Sequence, residues 1–137
     1  MRNRKPLGKS MLLPATTASI RERILRNHLA LAALLAGQGN GHLLAALIET
    51  AYLTWYLQEA GFGSAERAHF EEVEHMINAA AERAEHGAWS LTGDDSRIAG
   101  WLIEYHEQQL LRAPVFAVRD AQKRLARFAQ SGRRSPW

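Results

Sequence analysis

From Gly41 to Ala60 the chain is apolar on nearly every side of a helix. Leu43, Leu44, Leu47, Ile48, Ala51, Tyr52, Leu53, Trp55, Tyr56 and Leu57 leave it almost no polar face. Such a helix must be enclosed by other helices or by a partner chain. The flanking sequence supplies candidates for that enclosure. Over 18–36, Ile20, Ile24, His28, Leu31 and Leu35 recur at helical spacing, and Leu25, Leu29 and Ala32 widen the stripe. Ser64 is placed to cap a helix running to His86, with Phe70, Val73, Ile77, Ala80, Ala81 and Ala84 as a narrow inner stripe. Thr92 and Asp95 have capping-box spacing before a helix over 93–112 anchored by Ile98, Trp101, Leu102 and Tyr105. Pro114 suits the first turn of a last helix, which turns Val118, Ala121, Leu125, Phe128 and Ala129 inward and ends at Gly132.

No segment shows strand-like alternation. The expectation is therefore an all-α fold, a compact five-helix bundle with the hydrophobic 41–60 helix at its centre. Residues 1–17 read as an irregular basic arm broken by Pro6, Gly8 and Pro14, residues 18–132 as a single domain, and 133–137 as a short tail. A chain of 137 residues can bury roughly two-thirds of its surface without staples. The absence of cysteine excludes disulfides, a thiol nucleophile and Cys-ligated zinc or iron–sulfur centres. The longest apolar run, Leu29–Ala36, is far short of the ~18 residues of a membrane span. Met11-Leu12-Leu13 is likewise too short for the core of a signal peptide. A cytoplasmic address with no membrane partner is expected.

Motifs that carry chemistry are weak. Gly37-Gln38-Gly39-Asn40-Gly41 resembles a phosphate loop, but His42 stands where the next glycine is needed, and a helix rather than a strand precedes it. The better reading has Gly37 ending one helix and Asn40 capping the next. Glu72 and His75 have the Glu-x-x-His spacing of di-iron bundles, yet both point away from the Phe70/Val73/Ile77 stripe and no second motif accompanies them. They read as a solvated face, with Glu71–His75 and Glu82–His86 as i,i+4 pairs. His28, inside an apolar stripe, reads as a buried core histidine. No serine sits in a nucleophile elbow. We therefore expect no catalytic residues, no metal, no cofactor and no small-molecule substrate: a non-enzymatic protein.

Charge is the informative feature. The net of +3 conceals a segregation. Residues 1–26 hold seven Lys/Arg against Glu22 alone, and 112–137 hold seven against Asp120 alone, so each end carries +6 while the middle carries −9. Arg2, Arg4, Lys5 and Lys9 in the arm, with Arg119, Lys123, Arg124 and Arg127 on the last helix, form a candidate nucleic-acid-binding set. Arg133 and Arg134 extend it. A small regulatory protein contacting nucleic acid is the first expectation. The alternative is a protein-interaction module, such as a homodimer, using Tyr52, Trp55 and Tyr56. A third possibility is that the basic ends lie on the chain's own acidic body.

Several segments also carry a family resemblance: Met11-Leu12-Leu13-Pro14, Asn27-His28-Leu29-Ala30-Leu31, Gly39-Asn40, Tyr52-Leu53, Ala60-Gly61-Phe62-Gly63 and Ser135-Pro136. Together they resemble a group of short proteobacterial proteins sometimes labelled Fis-family transcriptional regulators. The resemblance extends over nearly the whole chain, but it rests on packing and turn signals. It implies DNA binding through a C-terminal helix-turn-helix. It contributes no site residues here.

Overall fold

Six helices make up the computed structural model, which describes residues 6–87 and 89–137: α1 (Lys9–Leu12), α2 (Thr17–Leu35), α3 (Gly41–Glu59), α4 (Arg67–Glu85), α5 (Gly93–Arg112) and α6 (Val115–Ser131). Among the described residues there is no strand. Pro14 and Pro114 meet in an isolated antiparallel bridge. α3 packs against α2, α4, α5 and α6, as its all-round apolar surface requires. One buried cluster joins α2, α3, α4 and α5 around Leu34, Leu47, Val73, Ile77 and Leu102. A second joins α3 to the end of α5 and to α6 through Tyr56, Leu57, Ala113 and Ala121.

The expected count of five helices is corrected to six. Within the arm, Lys9–Leu12 makes a single turn, where Met11 N–H donates to the Gly8 carbonyl at 2.9 Å. Pro6 and Gly8 before it and Pro14 after it leave room for no more. The arm is also anchored, because Val115 N–H donates to the Leu13 carbonyl at 2.9 Å.

Three expected faces are corrected as well. α2 buries Ile20, Leu31 and Leu34, whereas Leu25 and Leu29 are 59% and 60% exposed. His28 is exposed too, not a core residue, and its Nε2 lies 3.8 Å from the Glu107 carboxylate on α5. With apolar residues on so much of α2, periodicity alone does not select the buried side; packing on α5 does. On α4 and α6, Ala81 and Ala129 are exposed, while Met76 and Ala117 are buried.

α4 starts at Arg67 rather than beside Ser64. The Gln58 side chain holds the preceding loop by accepting from Ala65 N–H and donating to the Ala65 carbonyl, both at 2.8 Å. Gly63 in this loop has φ +128°, and a Cβ there would lie 2.0 Å from Tyr105 Oη, so only glycine fits. Glu71 pairs with Arg67 rather than His75, and His86 Nδ1 faces the Glu82 carbonyl rather than its carboxylate.

The local signals fare better. Gly37 ends α2 in the left-handed region at φ +73°. Asn40 Oδ1 accepts from Leu43 N–H at 3.0 Å. The Thr92/Asp95 capping box is complete, and Arg83 braces it at 2.9 Å from Asp95. Replacing Asn40 with alanine should cost about 1 kcal/mol, measured by urea denaturation.

Candidate nucleic-acid interface

α6 is strongly two-faced. Ala117 and Ala121 are buried and Val118, Leu125 and Phe128 half-buried against the bundle, while Arg119, Lys123, Arg124 and Arg127 are exposed. Spacing alone dictates this, since residues at i, i+4 and i+8 share a face. α1 packs against α6, and its Ser10 and Met11 line one cavity with Val118, Arg119 and Gln122. Exposed Lys9 therefore belongs to an element lying beside Arg119. Arg2, Arg4 and Lys5 lie outside the described residues.

The cations divide by partner. Arg124 is engaged within the fold: it lies 2.6 Å from the Glu59 carboxylate and its guanidinium sits 4.6 Å over the Tyr56 ring. Among the described residues Lys9, Arg119, Lys123, Arg127, Arg133 and Arg134 make no ion pair. The acidic middle of the chain is thus joined to α6 by one ion pair among the described residues. Glu72, a candidate in the Glu-x-x-His reading, pairs with Arg97 across to α5 at 3.2 Å. No group of three or more potential metal-ligating side chains occurs among the described residues.

Tyr52, Trp55 and Tyr56 do not form an open surface. Tyr56 is buried and the other two are half-buried. Trp137 packs edge-on against Tyr52 and Trp55, at centroid distances of 5.4 and 5.7 Å, and Phe128 meets Tyr52 at 5.0 Å. Ser135 Oγ fixes this segment at 2.7 and 2.8 Å from the two oxygens of Glu74. Tyr52 donates to the same carboxylate at 2.8 Å. Burial raises the Tyr52 pKa, and the Glu74 hydrogen bond and charge raise it further. The aromatic surplus of α3 is largely covered by residues from the end of α6 and the segment after it.

A polar cluster that the sequence reading did not single out lies under the α3–α4 loop: Thr54, His106 and Gln109, all buried. Thr54 Oγ1 donates to the Thr50 carbonyl at 2.6 Å, so its lone pair faces His106 Nδ1 at 3.1 Å. Gln109 Oε1, which can only accept, lies 3.2 Å from the same nitrogen. These contacts assign the proton to Nδ1 of a neutral ring. Burial lowers the His106 pKa to about 4; the Gln109 hydrogen bond opposes this and the charge of Arg23 adds to it. Gln109 Nε2 donates to the carbonyls of Thr54 and Phe62, both at 2.9 Å. A signal was present. Ala99, Leu102, Ile103, His106 and Leu110 follow helical spacing, and His106 sits in the middle of that stripe.

No protein-family model, curated protein or solved structure matches this chain. Any functional reading rests on its own residues. α5 and α6 are joined by Ala113 and Pro114 alone, and α6 takes α3 rather than α5 as a principal neighbour. A helix-turn-helix instead joins its helices through a turn of roughly three or four residues. No described helix is long and apolar enough to cross a membrane.

Proposed function

We propose that this is a non-enzymatic accessory or regulatory protein that contacts the phosphate backbone of nucleic acid. The contact surface is the outer face of α6, with Arg119, Lys123 and Arg127, together with the arm carrying Lys9, Arg2, Arg4 and Lys5. The observation that carries this reading is that, among the described residues, no carboxylate neutralises Arg119, Lys123 or Arg127. Among the described residues three cations spaced along one helix face have no carboxylate partner, and the backbone contact between Leu13 and Val115 holds the 9–13 segment with Lys9 beside α6. Backbone phosphates would neutralise such a surface without base readout, as its cations displace the counterions condensed on the nucleic acid. Arg124 belongs to the fold in this reading, because Glu59 and Tyr56 already hold it.

Anisotropy titrations of labelled duplex and single-stranded oligonucleotides at several salt concentrations test the proposal. Affinity should fall steeply with salt. Changing Arg119, Lys123 and Arg127 together to alanine should reduce the slope of log K against log salt by roughly one per cation removed. No binding at low salt, or an unchanged slope in the triple variant, would overturn it.

A second reading, self-association, is favoured by one observation. Leu25 and Leu29 project from α2 at i, i+4, and Leu111 on the neighbouring α5 is also half-exposed. His28 and Glu107 link these two helices. In that case sedimentation should show a dimer at high micromolar concentration, which Leu29→Glu converts to monomer.

A further inference from the structure

One cavity adjoins the basic face but has a different chemistry. It encloses about 590 Å³ between the arm, the first turns of α2, the end of α5 and the start of α6. That is within the usual range for small-molecule sites, roughly 300–1,000 Å³. Its walls are mainly apolar, with Met11, Ile20, Leu110 and Val118 contributed by four different elements. Arg23 and Arg119 line it as well, and among the described residues no carboxylate does. Neither arginine makes an ion pair among the described residues. Arg23 is half-buried, and a half-buried cation facing an apolar cavity gains from an anion more than an exposed one does. Its charge also acts on buried His106, whose pKa it helps to lower.

We propose that this cavity binds a small amphipathic carboxylate, with its apolar body on Ile20, Leu110 and Val118 and its charge between Arg23 and Arg119. The two walls select for both halves of such a molecule. An uncharged apolar compound would leave the guanidinium groups facing hydrocarbon. A bare inorganic anion would leave the apolar wall wet, without the stabilisation that burial of a hydrocarbon chain supplies. Because the arm forms one side, a bound carboxylate would also hold the arm against α6. The site does not rest on the nucleic-acid reading. Arg119 is common to both, whereas Arg23 belongs to the cavity alone, so Arg23→Gln separates them.

The test uses octanoate, 1-octanol and inorganic phosphate as probes of the full chain, followed by methyl NMR and calorimetry. Octanoate should bind saturably with one-to-one stoichiometry and shift the methyl signals of Ile20, Leu110 and Val118 before any others. Octanol and phosphate should each bind at least about tenfold more weakly. Arg23→Gln should weaken octanoate by about tenfold while leaving the salt slope for nucleic acid unchanged. The variant's circular dichroism should match the parent, since its side chain reaches the surface. No saturable octanoate binding, shifts centred on another part of the bundle, equal affinity for octanol, or full affinity in Arg23→Gln would each overturn the proposal.

Discussion

Replacing Gln109 with leucine should lower the stability of the fold by about 3–5 kcal/mol, a loss outside the ordinary range for a point substitution. Gln109 is 1% exposed and its amide spans three elements: it donates to Thr54 of α3 and to Phe62 in the loop, and it accepts from His106 of α5. Leucine fills nearly the same volume, so little of the loss comes from a cavity. It comes from groups left without partners. The Phe62 carbonyl loses the Gln109 amide beneath its loop, and each buried polar group so abandoned costs about 1–3 kcal/mol. The imidazole keeps the Thr54 Oγ1 lone pair as acceptor but loses Gln109 Oε1. Gln108→Leu is the matched control, because Gln108 is exposed and the change should stay within about 0.5 kcal/mol. Urea titration measures both, and hydrogen exchange in the variant should rise first around Phe62–Ala65. A Gln109→Leu cost near that of the control would mean that the cluster does not hold the loop.

The contrast between what the sequence made legible and what it did not follows the range of each interaction. Gly37, Asn40, the Thr92/Asp95 box and Gly132 act through backbone groups a few residues away, and each stands in its expected role. Faces are decided at longer range. In α2 the run Leu29–Ala36 offers apolar residues to several directions at once, and contact with α5 brings Leu34 in and turns Leu29 out. Ser64 was a sound local cap signal, but Gln58 reaches across seven residues to hold Ala65 and delays the helix to Arg67. Tertiary hydrogen bonds of this kind leave no periodic trace.

The candidate site divides in the same way. Exposure of Arg119, Lys123 and Arg127 was legible, because a strongly amphipathic helix has only one way to lie on a bundle. The engagement of Arg124 by Glu59 was not, since the two are 65 residues apart. The covering of Tyr52 and Trp55 by Trp137 escaped for the same reason. An aromatic surplus in one helix is compatible with a partner chain or with the chain's own distant segment, and only packing distinguishes them.

His106 should make the protein progressively less stable as the pH falls from about 6.5 toward 4. In the unfolded chain its pKa is near 6.5, and burial lowers it to about 4 in the fold. Between those values the unfolded state binds a proton that the native ring refuses, so unfolding is favoured as pH drops. The stabilising contribution is complete above the unfolded pKa and is lost as pH approaches the folded one. The full span corresponds to about 3 kcal/mol, and about 2 kcal/mol of it should be gone by pH ~5, before most carboxylates titrate. Asparagine at position 106 keeps a donor near the Nδ1 position but cannot be protonated in this range. His106→Asn should therefore be less stable than the parent at neutral pH, and its stability should depend much less on pH between about 6.5 and 5. Urea midpoints measured across that interval decide the matter. Parallel pH curves for the two proteins would show that another group drives acid unfolding and that the Thr54–His106–Gln109 cluster does not exclude the proton. Convergence of the curves toward acid would show that it does, and would identify a neutral, hydrogen-bonded imidazole as a condition for closing α5 against α3.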